Sequence, residues 1–237
     1  MPILLLRCVA PLQSWDTQSR FGVRTTGREP SKSGIVGLLC AALGRTRTEP
    51  VDDLAALHMG VRIDKEGSIL RDWHTAMKVL KAGGGIKETE TSTRYYLCDA
   101  AFLVGLEGDE SLLDQVYAAL RDPHWLLFLG RKACPPSAPP YLPDGLREEG
   151  LEDVFRTYPW LGSNPYQYRK LERVRVVFDD ESGPQVRHDY PISFEKGNRQ
   201  FAPRSISTTF IDRPPFKGEE INVGDPLTPS SSPPSGG

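Results

Sequence analysis

The sequence has few residues of the types that build metal sites and nucleophilic active sites. It holds four cysteines and four histidines among 237 residues, and no two cysteines form a C-x-x-C pair. Because structural zinc sites usually draw ligands from such closely spaced pairs, a zinc site is not expected. No carboxylate cluster suggests a divalent cation, and no serine or cysteine stands beside a paired base. The composition therefore predicts neither a metal nor a cofactor.

Long hydrophobic runs are also missing. The apolar run at residues 2–6 directly follows Met1, and it lacks both the basic start and the length of a signal peptide. No run approaches the roughly 20 apolar residues that span a bilayer as a helix. We therefore expect a cytoplasmic protein without a membrane partner.

Charge is nearly balanced overall, with a formal net charge of −2, but it is unevenly distributed. Residues 1–50 contain seven lysines and arginines against three acidic residues, whereas residues 95–237 contain fifteen against twenty-one. A basic front and an acidic back fit a protein that binds a polyanion on one side. Ordinary scatter of surface charge is the alternative explanation of the same numbers.

The basic charge is concentrated in a long loop between a predicted strand at residues 3–9 and a predicted helix at residues 34–43. The loop carries four cations at intervals of four residues, together with two aromatic residues. These are Arg20, Arg24, Arg28 and Lys32, with Trp15 and Phe21. The cations can track phosphates, and Lys32 with Ser33 and the N–H groups of a helix start can bind one more. The aromatic rings either stack on bases, as in single-stranded RNA binding, or close the core.

Residues 26–33 resemble a nucleotide-binding P-loop at first sight. That motif needs glycine where Thr26 and Ser31 stand, and it needs a strand directly before the loop. Here the predicted strand ends near Ala10, well before residue 26. The sequence therefore does not predict a nucleotide hydrolase.

The order of the predicted elements is typical of one fold. Hydrophobic periodicity indicates strand, helix, strand, strand, helix and strand, with the last two at residues 111–121 and 125–129. This α+β order is ferredoxin-like and is shared with the RNA-recognition motif. We predict a ferredoxin-like RNA-binding domain at residues 1–130, a small β-rich region at residues 131–221 and a flexible tail at residues 222–237.

A basic insert interrupts this pattern at about residues 71–94. The flanking strands predict a long protruding β-hairpin, although the composition also fits a disordered surface loop. Just before it, residues 61–63 and 68–70 alternate around a glycine turn and predict a short hairpin of their own. The long hairpin would extend the phosphate-binding surface. Its candidate residues are His74, Lys78, Lys81, Lys87 and Arg94.

Catalysis has little support in the sequence. Cleavage of RNA without a metal needs an acid and a base near a 2′-hydroxyl. His74 with Tyr95 or Lys78 could supply these groups. A metal-independent endoribonuclease is therefore the alternative to a protein that only binds RNA, and a purely architectural protein is a third possibility.

Two motifs in the sequence resemble those of a known family. Residues 11–15 read P-L-Q-S-W and residues 29–39 read E-P-S-K-S-G-I-V-G-L-L, with R-F and R-T-T between them. Residues 129–136 read L-G-R-K-A-C-P-P. The motifs and their spacing resemble the CasD family of the RAMP superfamily, whose members are subunits of the type I-E CRISPR Cascade complex.

The resemblance implies a fold, a ligand and a set of partners. Members of this family have an RNA-recognition-motif-like fold with a thumb hairpin, here residues 71–94, and a small C-terminal β-region. They hold the 5′ handle of CRISPR RNA and contact the backbone subunit CasC and the large subunit CasA. Target DNA is reached indirectly, through pairing with the guide.

The resemblance also narrows the choice of activity and of site residues. Relatives in another CRISPR subtype cut precursor RNA, whereas in type I-E a separate subunit does so, which implies that this chain is not an enzyme. Arg131, in the second motif, joins the candidates for the phosphate surface. The full set of RNA-binding candidates is Trp15, Arg20, Arg24, Thr26, Arg28, Lys32, Ser33, Gly34, His74, Lys78, Lys81, Lys87, Arg94 and Arg131.

Overall fold

The computed structural model describes residues 1–17 and 22–216, so Arg20 and the predicted tail at residues 222–237 lie outside the described residues. The described chain is a mixed α/β structure. Its strands are β1 (Ile3–Val9), β2 (Leu12–Gln13), β3 (Val23–Arg24), β4 (His58–Lys65), β5 (Ser68–Leu80), β6 (Ile86–Cys98), β7 (Ala101–Glu107), β8 (Tyr141–Arg147), β9 (Arg173–Asp179), β10 (Gln185–Ser193) and β11 (Gln200–Asp212). Its helices are α1 (Lys32–Leu43), α2 (Asp52–Ala56), α3 (Glu110–Arg121), α4 (Leu151–Thr157) and α5 (Pro165–Arg169).

A seven-stranded sheet forms the centre of the molecule, in the order β10-β11-β9-β4-β7-β1-β8. Every neighbouring pair in it is antiparallel. The strand predicted at residues 125–129 is wrong, because that segment packs as a loop against the end of α1. The N–H groups of His124 and Trp125 donate to the carbonyls of Ala42 and Ala41. The place beside β1 is taken instead by β8.

The predicted boundary at residue 130 does not divide this sheet. Strands from both sides of the boundary share it, with β8 at one edge and β9, β11 and β10 at the other. β9 and β10 follow one another along the chain but are not neighbours in the sheet. β11 lies between β9 and β10, and it hydrogen-bonds to both of them.

The short hairpin predicted at residues 61–70 is replaced by two strands in different sheets. β4 is buried along nearly its whole length and pairs with β7 and β9, whereas β5 is largely exposed and pairs with β6. Asp99, with a φ of 53°, lies between β6 and β7. At this point the chain leaves the small sheet, which consists of β2, β3, β5 and β6, and enters the seven-stranded sheet as β7.

β5 and β6 form a long antiparallel hairpin of 13 residues each. They pair from Ser68 opposite Cys98 to Leu80 opposite Ile86. Residues 71–94 are therefore paired strands and a turn rather than a disordered loop. A Cβ atom added to any of the three glycines of the turn would meet nothing within 4 Å, so the tip stands clear of the rest of the described chain.

The large sheet is buried on both faces, which explains why β1 reads as a continuous apolar run. Leu4 and Leu6 face a core under α1 and α3, whereas Ile3 and Leu5 face a second core under α4. Each such side chain contributes about 1.5–3 kcal/mol when fully buried. No helix in residues 1–17 and 22–216 has the length and apolar character needed to cross a membrane.

Candidate nucleic-acid interface

The start of α1 lies at the end of the basic loop, as predicted, but two of its N–H donors are already bound within the chain. The N–H of Gly34 donates to the hydroxyl of the capping residue Ser31 at 3.2 Å. The N–H of Lys32 donates to a carboxylate oxygen of Asp189 at 2.8 Å. The prediction of a phosphate site at this helix start, where Ser33 is half-buried, is therefore corrected, because protein oxygens occupy the place of the phosphate.

Lys32 itself belongs to the fold rather than to a surface. It is 5% exposed, and its Nζ lies 2.6 Å from a carboxylate oxygen of Asp179. Burial lowers the pKa of Lys32, and the neighbouring Asp179 opposes that shift. A second cation, Arg204, also pairs with Asp179. Lys32 is thus not available to RNA, contrary to the prediction.

Trp15 closes the core, which is one of the two alternatives that the sequence left open. Its side chain is 1% exposed, and its Nε1 donates to Gln13 Oε1 at 3.0 Å. The hydroxyl of Thr26 accepts from the N–H of Trp15 at 2.9 Å. A Cβ atom on Gly34 would lie 2.9 Å from the indole ring. Thr26 therefore binds the backbone of Trp15, and Gly34 leaves room for its indole ring. Base stacking by Trp15 is excluded in this conformation.

A buried network of charges ties the same loop to the C-terminal strands. Glu29 is 6% exposed and accepts from Arg187 at 2.6 Å and from Arg175 at 3.2 Å. Asp189 accepts from Arg204 at 2.7 Å. Sequence reasoning missed these residues, because the partners lie 146 and 158 positions apart and no local pattern joins them.

Two predicted cations of the loop are exposed, namely Arg24 and Arg28. Arg24 lies on β3, which pairs in parallel with β6 and places Arg24 directly opposite Arg94. Residues paired in this way point to the same face of a sheet. The half-buried Arg94 and the exposed Arg24 therefore form a pair of cations at the base of the hairpin.

The register of the hairpin divides its side chains between two faces. Asp72 lies opposite Arg94 and His74 opposite Ser92, so His74 shares the face of the arginine pair. Tyr95, one residue from Arg94, points to the other face. His74 and Tyr95, suggested as an acid and base pair, are thus not brought together.

The remaining predicted cations lie towards the tip of the hairpin. Lys78, Lys81 and Lys87 are all exposed. Lys78 has a φ of 53°, which is uncommon for a residue with a side chain. Lys87 forms an ion pair with Glu90, so part of its charge is balanced within the hairpin.

Sequence reasoning also missed an apolar stripe on the face opposite the arginine pair. Ile69, Trp73 and Met77 recur every fourth residue along β5, and Trp73 is 66% exposed. The guanidinium of Arg71 lies 4.4 Å from the centre of a ring of Trp73. The alternation of residues along β5 was the signal that could have located this stripe.

Arg131, in the second motif, lies between the loop and the hairpin. Its Nη1 donates to the carbonyl of Tyr95 and its Nη2 to the carbonyl of Thr25, each at 2.9 Å. Its guanidinium carbon also lies 5.0 Å from the ring centre of Tyr96. Two of its donors are thus directed at backbone oxygens of the chain.

The exposed surface around the hairpin base combines cations with polar groups, which suits an extended polyanion. No group of three or more histidine, cysteine or acidic residues within residues 1–17 and 22–216 is placed to hold a metal ion. The exposed cations offer electrostatic contacts to such a polyanion. An RNA backbone is one ligand of that kind.

Comparison with known proteins gives consistent results. Residues 3–207 match the family described as CRISPR-associated protein (Cas_Cas5). The chain is 35% identical over 200 residues to the CRISPR system Cascade subunit CasD of Escherichia coli (strain K12), a match that covers 77% of this chain and 88% of that protein. The family model alone covers more than half of the chain.

Two solved structures share the fold and the sequence similarity. One, described as a crystal structure of Cas protein, is 42% identical with a TM-score of 0.71 and covers 89% of this chain and 95% of its own. The other is a chain from a structure described as a CRISPR RNA-guided surveillance complex, which is 30% identical with a TM-score of 0.73. The match covers 89% of this chain and 90% of that chain. The resemblance to CasD found in the sequence motifs is confirmed, and the chain belongs to the CRISPR-associated Cas5 family.

Proposed function

We propose that this chain is a non-catalytic subunit of a CRISPR Cascade complex that binds the 5′ handle of CRISPR RNA and caps one end of the complex. The similarity of the chain to the Cascade subunit CasD and to a chain of the RNA-guided surveillance complex supports this proposal. RNA pairing would then read the target DNA, and the protein would hold the RNA by its backbone.

The observation that carries the proposal is the pair formed by Arg24 and Arg94. Two cations side by side at the base of a hairpin offer neighbouring contacts to consecutive phosphates. Arg28 is exposed in the same loop, and Lys78 and Lys81 extend the charge along the hairpin. A single strand of RNA would lie across the base of the hairpin and follow it towards the tip.

The finer features of the fold are part of the proposal. The strand order β4-β7-β1-β8, with α1 and α3 on one face, supports a ferredoxin-like unit that extends to residue 147 rather than residue 130. The β5–β6 hairpin would be the thumb. Its apolar stripe of Ile69, Trp73 and Met77 suits a contact with a protein subunit. CasC and CasA are the partners that we propose.

The separation of His74 from Tyr95 argues against one of the two acid–base pairs suggested for an endoribonuclease, the other being His74 with Lys78, since the side chains of His74 and Tyr95 point to opposite faces of the hairpin. An endoribonuclease would need its acid and base on one face, close to the same 2′-hydroxyl. Incubation of the purified protein with repeat RNA in EDTA tests this. Site-specific cleavage that His74→Ala abolishes would establish the alternative function.

The RNA-binding proposal is tested by fluorescence anisotropy with an RNA that carries the 5′ handle. Arg24→Gln should weaken binding about three- to tenfold, and it should reduce the slope of log K against log salt by about 0.7, the value for one contact to a single strand. Arg156→Gln is the matched control, because Arg156 is exposed on α4 and lies on the far face of the large sheet. An unchanged salt slope for Arg24→Gln would remove it from the interface.

A further inference from the structure

Among the residues that the structure describes, β3 forms a ladder of only two residues. It consists of Val23 and Arg24 alone, paired in parallel with Thr93 and Arg94. The N–H of Thr93 donates to the carbonyl of Gly22 at 2.8 Å, just before the strand. Parallel pairing is slightly weaker per residue than antiparallel pairing, and a two-residue ladder gives little cooperativity. Some other group must keep the strand in register.

Arg131 is placed to supply that restraint. One of its terminal nitrogens donates to the carbonyl of Thr25, immediately after β3, and the other to the carbonyl of Tyr95, immediately after Arg94 on β6. The rigid planar fork of a guanidinium fixes the distance between two acceptors, which a lysine ammonium cannot do. The face of Tyr96 packs against the same guanidinium.

The backbone on either side of Arg131 is itself held by hydrogen bonds. The N–H of Ser14 donates to the carbonyl of Leu129, and the N–H of Cys134 donates to the carbonyl of Arg131. A Cβ atom on Gly130, where φ is +94°, would collide with the carbonyl of Ser14. The second motif is thus a tight turn packed on the first motif, and it directs one arginine at the junction of β3 and β6.

We propose that Arg131 is a positioning residue, which clamps β3 to β6 so that Arg24 and Arg94 stay side by side, rather than a phosphate ligand. This inference rests on the proposed RNA-binding function for its purpose, but the clamp itself can be measured without RNA. The second motif would thus shape the interface, and a positive charge alone at position 131 should not be sufficient to hold β3 beside β6.

Hydrogen–deuterium exchange on the full chain tests the clamp. In Arg131→Lys, exchange in residues 22–25 and at Thr93 should accelerate at least tenfold, while α3 stays as protected as in the wild type. Unchanged exchange around Thr93 would overturn the inference. Phe155→Leu, in the core under α4, is the control for general loss of stability, and it should not accelerate exchange at β3 selectively.

Handle-RNA binding by the same variants tests the purpose of the clamp. Arg131→Lys should weaken binding at least fivefold, about as much as Arg131→Ala. In an Arg24→Gln background, Arg131→Lys should weaken binding by less than a further twofold. Wild-type affinity in Arg131→Lys would mean that Arg131 is a phosphate ligand and would overturn the inference. Accelerated exchange at β3 with no RNA binding by the wild type would uphold the clamp and refute the proposed function instead.

Discussion

Arg24 and Arg94 lie directly opposite each other on β3 and β6, so two like charges share one face of the small sheet. Like charges in opposed positions destabilise a sheet by up to about 1 kcal/mol, and a bound polyanion removes that cost. Stability and affinity should therefore change in opposite directions at this pair.

For the free protein, we expect Arg24→Gln to raise the free energy of unfolding by a few tenths of a kcal/mol while it weakens RNA binding. Urea unfolding measures the first quantity and anisotropy the second. Asp72 also lies opposite Arg94 and offsets part of its charge, so the gain should be larger in Asp72→Asn/Arg24→Gln relative to Asp72→Asn alone. Destabilisation by Arg24→Gln in both backgrounds would contradict this account of the pair.

The two glycines of α1 give a matched pair of substitutions with opposite expected effects. A Cβ on Gly34 would lie 2.9 Å from the buried indole of Trp15, so Gly34→Ala should cost about 1–3 kcal/mol of unfolding free energy. A Cβ on Gly37 would meet Phe194 at 3.9 Å, an ordinary contact. Gly37→Ala should then stabilise the helix by about 0.5–1 kcal/mol. Thermal unfolding of both variants checks this, and equal effects would refute the assigned contact with Trp15.

The elements with strong local signals could be predicted from the sequence. The cap at Ser31, the left-handed Gly44 that ends α1 and the amphipathic face of α3 are features that residues within or next to each helix determine. Local chemistry decides such features, so no distant partner is needed. The hairpin was located for the same reason, because a glycine turn and alternating strands mark it.

The errors arose where long-range contacts decide the outcome. Lys32 was predicted to be an exposed phosphate ligand because the residues near it in the sequence give no sign of burial. In the structure it is buried and pairs with Asp179, which lies 147 positions later. The apolar segment at residues 125–129 had the composition of a strand, but the N–H of Trp125 binds the end of α1 and the N–H of Leu129 binds the carbonyl of Cys134. β8, which carries a proline and a glycine, is a sheet-edge strand that local propensity does not favour.

Adjacent residues on β5 test which face of the hairpin meets RNA. His74 lies on the face of Arg94, and Thr75 lies on the opposite face, although both are exposed. His74→Glu should weaken RNA binding about three- to tenfold at low salt, since it places a carboxylate beside the RNA. Thr75→Glu changes the net charge by a similar amount, but it should weaken binding less than twofold. Equal losses in anisotropy would mean that net charge, rather than one face, governs binding.

Glu29 anchors the basic loop to the C-terminal strands. Its carboxylate is 6% exposed and is the shared acceptor for Arg175 and Arg187. Glu29→Gln leaves two guanidinium groups facing an amide, with part of their charge uncompensated. Because Arg187 is half-buried rather than fully buried, we expect a loss of about 2–3 kcal/mol in the free energy of unfolding, at the lower end for a broken buried pair.

Glu66→Gln is the matched control for this prediction. Glu66 also accepts from Arg175, at 3.0 Å, but its side chain is 53% exposed. Solvent screens such a pair, so its loss should cost less than about 1 kcal/mol. Urea unfolding of the two variants separates the burial of the carboxylate from its pairing with Arg175. A cost for Glu66→Gln equal to that for Glu29→Gln would show that Arg175, and not the burial of Glu29, determines how firmly the loop is attached to β9.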